Sequence, residues 1–431
     1  MTNGMPAGAD GGSTVPVEAP ARARAEQVAR ASYGRLVAIL AASNGDIQLA
    51  EDCLSDAFAQ ALQRWPQAGT PENPEAWLLT AARNRQRDVY RSAAHRTSAP
   101  LDEAIHSPAC AIDELDPDTI PDRRLALLFV CAHPAIDPAV RSPLMLQTVL
   151  GLQVRQIARI FAIPEATLAQ RLVRAKRRIR ETRIPFALPD PAHLPGRLEA
   201  VLEAVYGAYA IDWLVVSGPT VRESLAAEAR YLAVMLAELL PDEPEALGLA
   251  ALLSLSLARV GARGAADAFL PLEEQNPAQW DAGLIREGED LLRRASVFRR
   301  IGRFQLEAAI QSVHCARASS GLTNWAALRS LYAALVAIVP TLGARVAFAA
   351  ATGRAKGPRD GLAALDLIPD EALRRFQPAW ATRAHLLAEA GHFEDALEAY
   401  DRAIVLTTER SVREYLARKR AEVAEEAAQA S

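Results

Sequence analysis

Apolar positions recur at spacings of three and four through Leu36/Ile39/Leu40, Leu54/Ala57/Phe58/Ala61/Leu62 and Trp77/Leu78/Ala81/Ala82/Val89. This periodicity predicts amphipathic helices from Glu26 to His95, after a Gly/Ala/Pro-rich tail over residues 1–25 that lacks any such pattern. Asp102–Asp122 then holds seven acids, no Lys or Arg, and Pro108, Pro117 and Pro121, so residues 98–122 read as an extended acidic linker. Helical periodicity resumes at Arg123 and runs to about residue 184, where Pro185, Pro189, Pro191 and Pro195 form a hinge. From there to the end the chain reads as a succession of amphipathic helices broken at Gly and Pro positions. No apolar/polar alternation is long enough for a sheet. The prediction is an all-α chain: helical blocks at 26–97 and 123–184, and a helical extension over 185–431.

Composition sharpens this picture only locally. Half of the 431 residues are apolar, 23% are charged and 6% are aromatic, which excludes a mostly disordered or collagen-like chain. The net charge of −4 hides an asymmetry: residues 1–185 carry 22 Lys+Arg against 20 Asp+Glu, and the rest carry 26 against 32. Cys53, Cys110, Cys131 and Cys315 lie far apart with no zinc-ligand spacing, which suits reduced thiols and no metal. No apolar run near the start suggests a secretory signal. The apolar stretches Leu247–Ala258 and Leu331–Ala351 are too short or too interrupted to span a bilayer. The expectation is a soluble, cytoplasmic protein without a membrane partner.

Three segments carry candidate chemistry. GLQVRQIARIFAIPEATLAQRLVRAKRRIR (residues 151–180) predicts a helix over Val154–Phe161, a tight connection through Ile163-Pro164 and a second helix from Pro164, a helix-turn-helix. Between Arg155 and Arg183 there are nine Lys/Arg and two acids. Thr167, Gln170 and Arg171, with Glu165 at the helix start, are placed to reach base edges or phosphates, and Arg174, Lys176, Arg177 and Arg178 suit phosphates. A second basic segment, Arg83-Asn84-Arg85-Gln86-Arg87-Asp88-Val89-Tyr90-Arg91, continuing to His95-Arg96, sets five arginines against one acid; a solvated helix face is the plainer reading of it alone. Upstream, Glu51, Asp52 and Asp56 lie on one helix, with Asp52 and Asp56 at i, i+4. Such carboxylates serve acid/base chemistry, a solvated face or docking of a basic partner, and no nucleophile accompanies them to favour the first.

In combination, AEDCLSDAFAQALQRW, PEAWLLTAARNRQRDVYR, an acidic linker and a terminal helix-turn-helix resemble regions two and four of a sigma-70 family factor of the extracytoplasmic-function (ECF) type. The resemblance implies that Glu51, Asp52, Asp56 and Phe58 dock on core RNA polymerase. It implies that Arg83, Asn84, Arg87, Asp88 and Arg91 open and read the minus-ten element, and that the second helix of the helix-turn-helix reads minus-thirty-five. Partners would be core RNA polymerase and promoter DNA, with no cofactor and no enzymatic activity.

The extension resembles that of the sigma subgroup with a long helical C-terminal part, through IPFALPDPAHLPGRLEAVLEAVYGAY and LPLEEQNPAQWDAGLIREGEDLLRRA. Trp380, Ala384, Gly391, Ala396, Tyr400 and Ala403 also match the small/large alternation of a tetratricopeptide repeat. Glu273, Glu274, Gln275, Trp280 and Asp281 read as a polar loop around one large residue. Two readings of Trp280 stand: an interface anchor for a protein or ligand partner, or a hydrophobic plug at the start of the next helix. The expected function is promoter-specific transcription initiation, regulated in cis by the extension. The alternative is a ligand-responsive helix-turn-helix regulator with a helical sensor.

Overall fold

The computed structural model describes residues 18–97, 122–190, 192–211, 219–262 and 269–430. The tail to residue 17, the linker over 98–121 with Cys110, and the side chains of His95 and Arg96 lie outside the described residues. Among those described, the elements are twenty α-helices and three short 3-10 turns, with no strand. The chain divides into two compact units, Met1–Val216 and Ser217–Ser431.

In the first unit, α1 (Glu18–Ala42), α2 (Ile47–Ala68) and α3 (Pro74–Thr97) pack on one another around Leu36, Leu40, Ile47, Leu54 and Leu78. Helix α1 begins inside the stretch expected to be tail. Asp46 caps α2 by accepting from the Leu49 amide at 3.0 Å, and Asn73 caps α3 through the Ala76 amide at 2.9 Å. Trp65 is buried and meets Trp77 edge-to-face at 5.7 Å, so Trp77 is a packing residue. Next come α4 (Arg124–Cys131), buried along its whole length, and α5 (Pro138–Thr148), capped by Asp137 with Pro138 at its first position. Gly34 admits the chain after α5: a Cβ there would lie 1.8 Å from the Val149 carbonyl oxygen. No side chain fits between these backbones.

Helices α6 (Val154–Ile160) and α7 (Glu165–Glu181) form the expected helix-turn-helix, closed on Ile157, Ala158, Leu168 and Leu172. Pro164 sits one residue before the second helix rather than on its first turn, with extended backbone, and Ala162 takes a left-handed φ of 50° in the connection. Gln153 precedes α6, its amide donating to Gln156 Oε1 at 2.9 Å.

The prolines after residue 184 do not end this unit. Helix α8 (Pro195–Ile211) returns to pack on α4 and α5 through Leu198, Val201, Leu202 and Val205, and Arg197 Nη1 donates to the Phe129 carbonyl at 3.5 Å. The boundary therefore falls after Val216, not at residue 185. The apolar stripe of α8 matches that of the helices before the hinge, and proline spacing alone cannot reveal where it docks.

The second unit runs through α9 (Pro219–Leu239), α10 (Pro244–Leu257), α11 (Ala282–Ser296), α12 (Arg303–Cys315), α13 (Arg317–Ser320), α14 (Trp325–Ile338), α15 (Leu342–Lys356), α16 (Pro358–Asp366), α17 (Asp370–Leu373), α18 (Gln377–Glu389), α19 (Phe393–Leu406) and α20 (Arg410–Ala430). Most contacts join helices adjacent in the chain. Helix α10 is almost wholly buried and is the hub for α9, α11 and α12. The stretch Pro244–Ala262 is long and apolar enough to cross a membrane, but 72% of its apolar window is buried inside the fold. Near the C-terminus Ala384, Ala396, Ala399, Tyr400 and Ala403 form one cluster, with Trp380 against it and Gly391 at φ 80° in the turn. The described cysteines, Cys53, Cys131 and Cys315, are buried free thiols.

A half-buried histidine gives this unit an acid sensitivity. Burial, reinforced by Arg259 and Arg317, pushes His314 down to about 4 from its ordinary 6.5. The folded state holds it neutral while the unfolded chain protonates it, so stability is full above pH 6.5 and is lost as pH falls through 4. The loss amounts to at most about 3 kcal/mol. Denaturant unfolding at pH 7 and pH 4 should show a smaller difference for His314→Gln than for the parent; equal differences would refute this assignment.

Candidate functional site

The acidic helix, the basic helix and the helix-turn-helix all lie in the first unit. On α2, Asp52 and Asp56 are exposed on one face, as the i, i+4 spacing requires. Asp52 accepts from Gln48 Nε2 at 3.0 Å, and Asp56 pairs with Arg85 of α3 at 2.8 Å. Phe58 is half-buried. Glu51 departs from expectation. It is 7% exposed and faces inward, where its Oε2 meets Lys176 Nζ of α7 at 2.5 Å.

Lys176 is corrected by the same contact. It is 4% exposed, whereas Glu165, Thr167, Gln170, Arg171, Arg174, Arg177 and Arg178 are all exposed on α7. The reason is periodicity: Lys176 follows Leu172 by four residues, and Glu51 follows Ile47 by four, so each joins the buried stripe of its helix. Neither can serve as a surface contact in this arrangement. Burial pushes the Glu51 carboxyl above the usual carboxylate range even with the ammonium beside it, and raises Tyr33 nearby. Arg180 Nη1 adds a second tie between the same parts of the chain, 3.2 Å from Asp46.

Helix α3 carries a basic face. Asn84, Arg85, Arg87, Asp88 and Arg91 are exposed and Arg83 is half-buried. Asp88 lies 3.8 Å from Arg91, and Arg87 Nη1 is 3.5 Å from Asn84 Oδ1. Tyr90 is no free stacking platform, since its hydroxyl accepts from Asn44 Nδ2 at 2.8 Å. On α7, Arg177 pairs with Glu181 at 2.6 Å, while Ala166, Gln170, Val173 and Arg174 share the outward face. Val173, 56% exposed, was not singled out by charge or motif. Among the described residues no group of His, Cys, Asp and Glu side chains is placed to hold a metal ion.

The loop around Trp280 is not the exposed anchor that one reading allowed. Trp280 is 6% exposed and Gln275 9%. Asp281 caps α11 through the Gly283 and Leu284 amides, Glu273 pairs with Arg354 at 3.0 Å, and Glu274 is exposed. The indole is internal packing.

The sigma-70 region 2 family matches residues 28–96, and a family of unknown function, DUF6596, matches residues 197–296. The second match begins in α8, inside the first unit, and continues into the second. Over 377 residues the chain is 35% identical to the uncharacterized protein R00370 of Rhizobium meliloti, covering 86% of this chain and 89% of that one. It is 32% identical over 169 residues to the probable ECF RNA polymerase sigma factor SigI of Mycobacterium tuberculosis, covering 38% of this chain and 57% of SigI. It is 31% identical over 165 residues to the probable RNA polymerase sigma factor RfaY of Xanthomonas campestris, covering 35% of this chain and 40% of RfaY. No solved structure matches.

Proposed function

We propose, for a chain that belongs to the family of Rhizobium meliloti R00370 and whose N-terminal part is like an ECF RNA polymerase sigma factor, that it directs promoter-specific transcription initiation. The observation that carries this reading is the region 2 match, laid over an α2 with exposed Asp52 and Asp56 and an α3 with an exposed Arg/Asn face. A free-standing helix-turn-helix regulator requires neither surface. In this reading Asp52, Asp56 and Phe58 dock on core polymerase, and Arg83, Asn84, Arg87, Asp88 and Arg91 act at minus-ten. The exposed side chains of α7 act at minus-thirty-five. The chain binds and positions rather than catalyses.

The two DNA-reading helices are joined in one compact unit, and this has a consequence for initiation. Promoter elements about 25 base pairs apart lie roughly 85 Å from one another along B-DNA at 3.4 Å per step. A globular unit of this size is only about 40 Å across. Both elements are read only after the α2–α7 contact opens. A buried ion pair at the seam suits that requirement, because both charges regain water on opening.

Run-off transcription with purified core polymerase tests the reading: the full chain should support initiation from a cognate promoter, and core alone should not. A chain ending at Val216 retains α8 and tests the proposed regulation in cis by the remaining helices. Equal activity of the short and full chains would exclude that regulation while leaving the sigma role intact. For DNA recognition, Arg171→Ala and Arg174→Ala should each weaken minus-thirty-five binding, by about 1–3 kcal/mol if the side chain reads a base and by less if it meets phosphate. Gel-shift titrations at two salt concentrations separate the cases, since losing a phosphate contact flattens the salt dependence without altering sequence preference.

A further inference from the structure

We infer that Arg85 is a phosphate-binding residue of the minus-ten face, kept on Asp56 in the free chain and released when polymerase takes Asp56. The inference rests on the promoter-binding reading above, and it adds a residue and a coupling between that reading's two partners.

The two exposed carboxylates of α2 are held differently. Asp52 accepts from Gln48 of its own helix at 3.0 Å. Asp56 crosses to α3, where Arg85 Nε donates to its Oδ2 at 2.8 Å. Arg85 flanks the exposed Arg/Asn face of α3: it follows Asn84 directly and precedes Asp88 by three residues, one helical turn. Gln86, on its other side, is 5% exposed and belongs to the buried stripe. Arg85 therefore stands where the packed side of α3 gives way to its basic face. One ion pair borders both the docking carboxylates of α2 and the DNA face of α3.

The chemistry makes the two engagements of Arg85 compete. Its side chain and that of Asp56 are each 50% exposed, so the pair can part without unpacking the helices. While paired, the two charges cancel, and the face offers DNA one cation fewer. A carboxylate docked among basic groups of a polymerase surface holds Arg85 less strongly, and the freed guanidinium matches a phosphate in charge and geometry. An exposed pair of this kind shifts an equilibrium by at most about fivefold. That is enough to bias two binding events and small enough to be broken by either. By linkage, polymerase strengthens DNA binding by the factor with which DNA strengthens polymerase binding.

Fluorescence anisotropy tests this with a labelled single strand carrying the minus-ten element of a promoter active in the run-off assay. In the free full-length chain, Asp56→Asn should tighten DNA binding about two- to fivefold and steepen the salt slope by about 0.7, one phosphate. Adding Arg85→Ala should cancel both gains, and Asp52→Asn, which removes the same charge without freeing Arg85, should not steepen the slope. With core polymerase, Arg85→Ala should bind core two- to fivefold more tightly, because Asp56 has no competing partner. The same variant, once core-bound, should bind the DNA strand about that much more weakly, with a shallower salt slope. Arg85→Lys should retain the slope. A merely structural residue would lower both affinities together. That outcome overturns the proposal, as does an Asp56→Asn gain that survives Arg85→Ala. Unchanged DNA binding by core-bound Arg85→Ala overturns it too. If the parent chain neither captures core nor supports run-off, the promoter-binding reading fails first and this proposal falls with it.

Discussion

Lys176→Ala should destabilise the first unit by about 3–5 kcal/mol, because it strands the Glu51 carboxylate in a seam where it is 7% exposed. The carboxyl retains one oxygen without a partner even in the intact pair, so little else is available to it. Replacing both members with apolar residues of similar volume, Glu51→Leu with Lys176→Met, removes the desolvation cost along with the attraction. The double variant should lie within about 1 kcal/mol of the parent. Urea unfolding of parent, single and double variants decides it. If the double variant loses as much as the single one, the seam depends on the charges themselves and the pair is not a readily opened contact.

Asp52→Arg with Asp56→Arg should abolish association with core polymerase while leaving helical content intact. Both carboxylates are exposed, and their partners are a surface Gln48 and a surface Arg85, so folding loses little. Placing two positive charges opposite a basic docking surface costs several kcal/mol, on the order of a hundredfold or more in Kd. A pull-down with circular dichroism on the same sample provides the check; undiminished capture by the folded variant would remove α2 from the polymerase interface. Glu51 belongs to a separate test, since it faces α7 rather than solvent.

The contrast between Glu51 and its neighbours shows what the sequence made legible. The 3.6-residue period identifies the helices of the first unit, the helix-turn-helix and the exposed faces of α2, α3 and α7. In each of these, apolar and polar positions agree about which side faces in. Glu51 and Lys176 each sit on the apolar stripe of their helix, and that much was available from spacing. Charge made them look like surface residues, and only tertiary packing shows that the two stripes meet. Trp280 was ambiguous for a similar reason, because a large aromatic after a Pro turn suits both an anchor and a plug. Its burial decides between them. The contact between Arg317 and Trp280 was illegible, since they lie 37 residues apart and Arg317 is held by backbone carbonyls.

Helix α8 makes the architecture inseparable at one specific place. The DUF6596 match starts at residue 197, yet α8 seals the apolar faces of α4 and α5 with Val201, Leu202 and Val205. Exchanging extensions between relatives at the Pro185–Pro195 stretch would transplant a helix evolved against another chain's α5 and leave this core facing water. A cut placed after Ile211 instead keeps those faces covered, so that is where a functional exchange of extensions is expected.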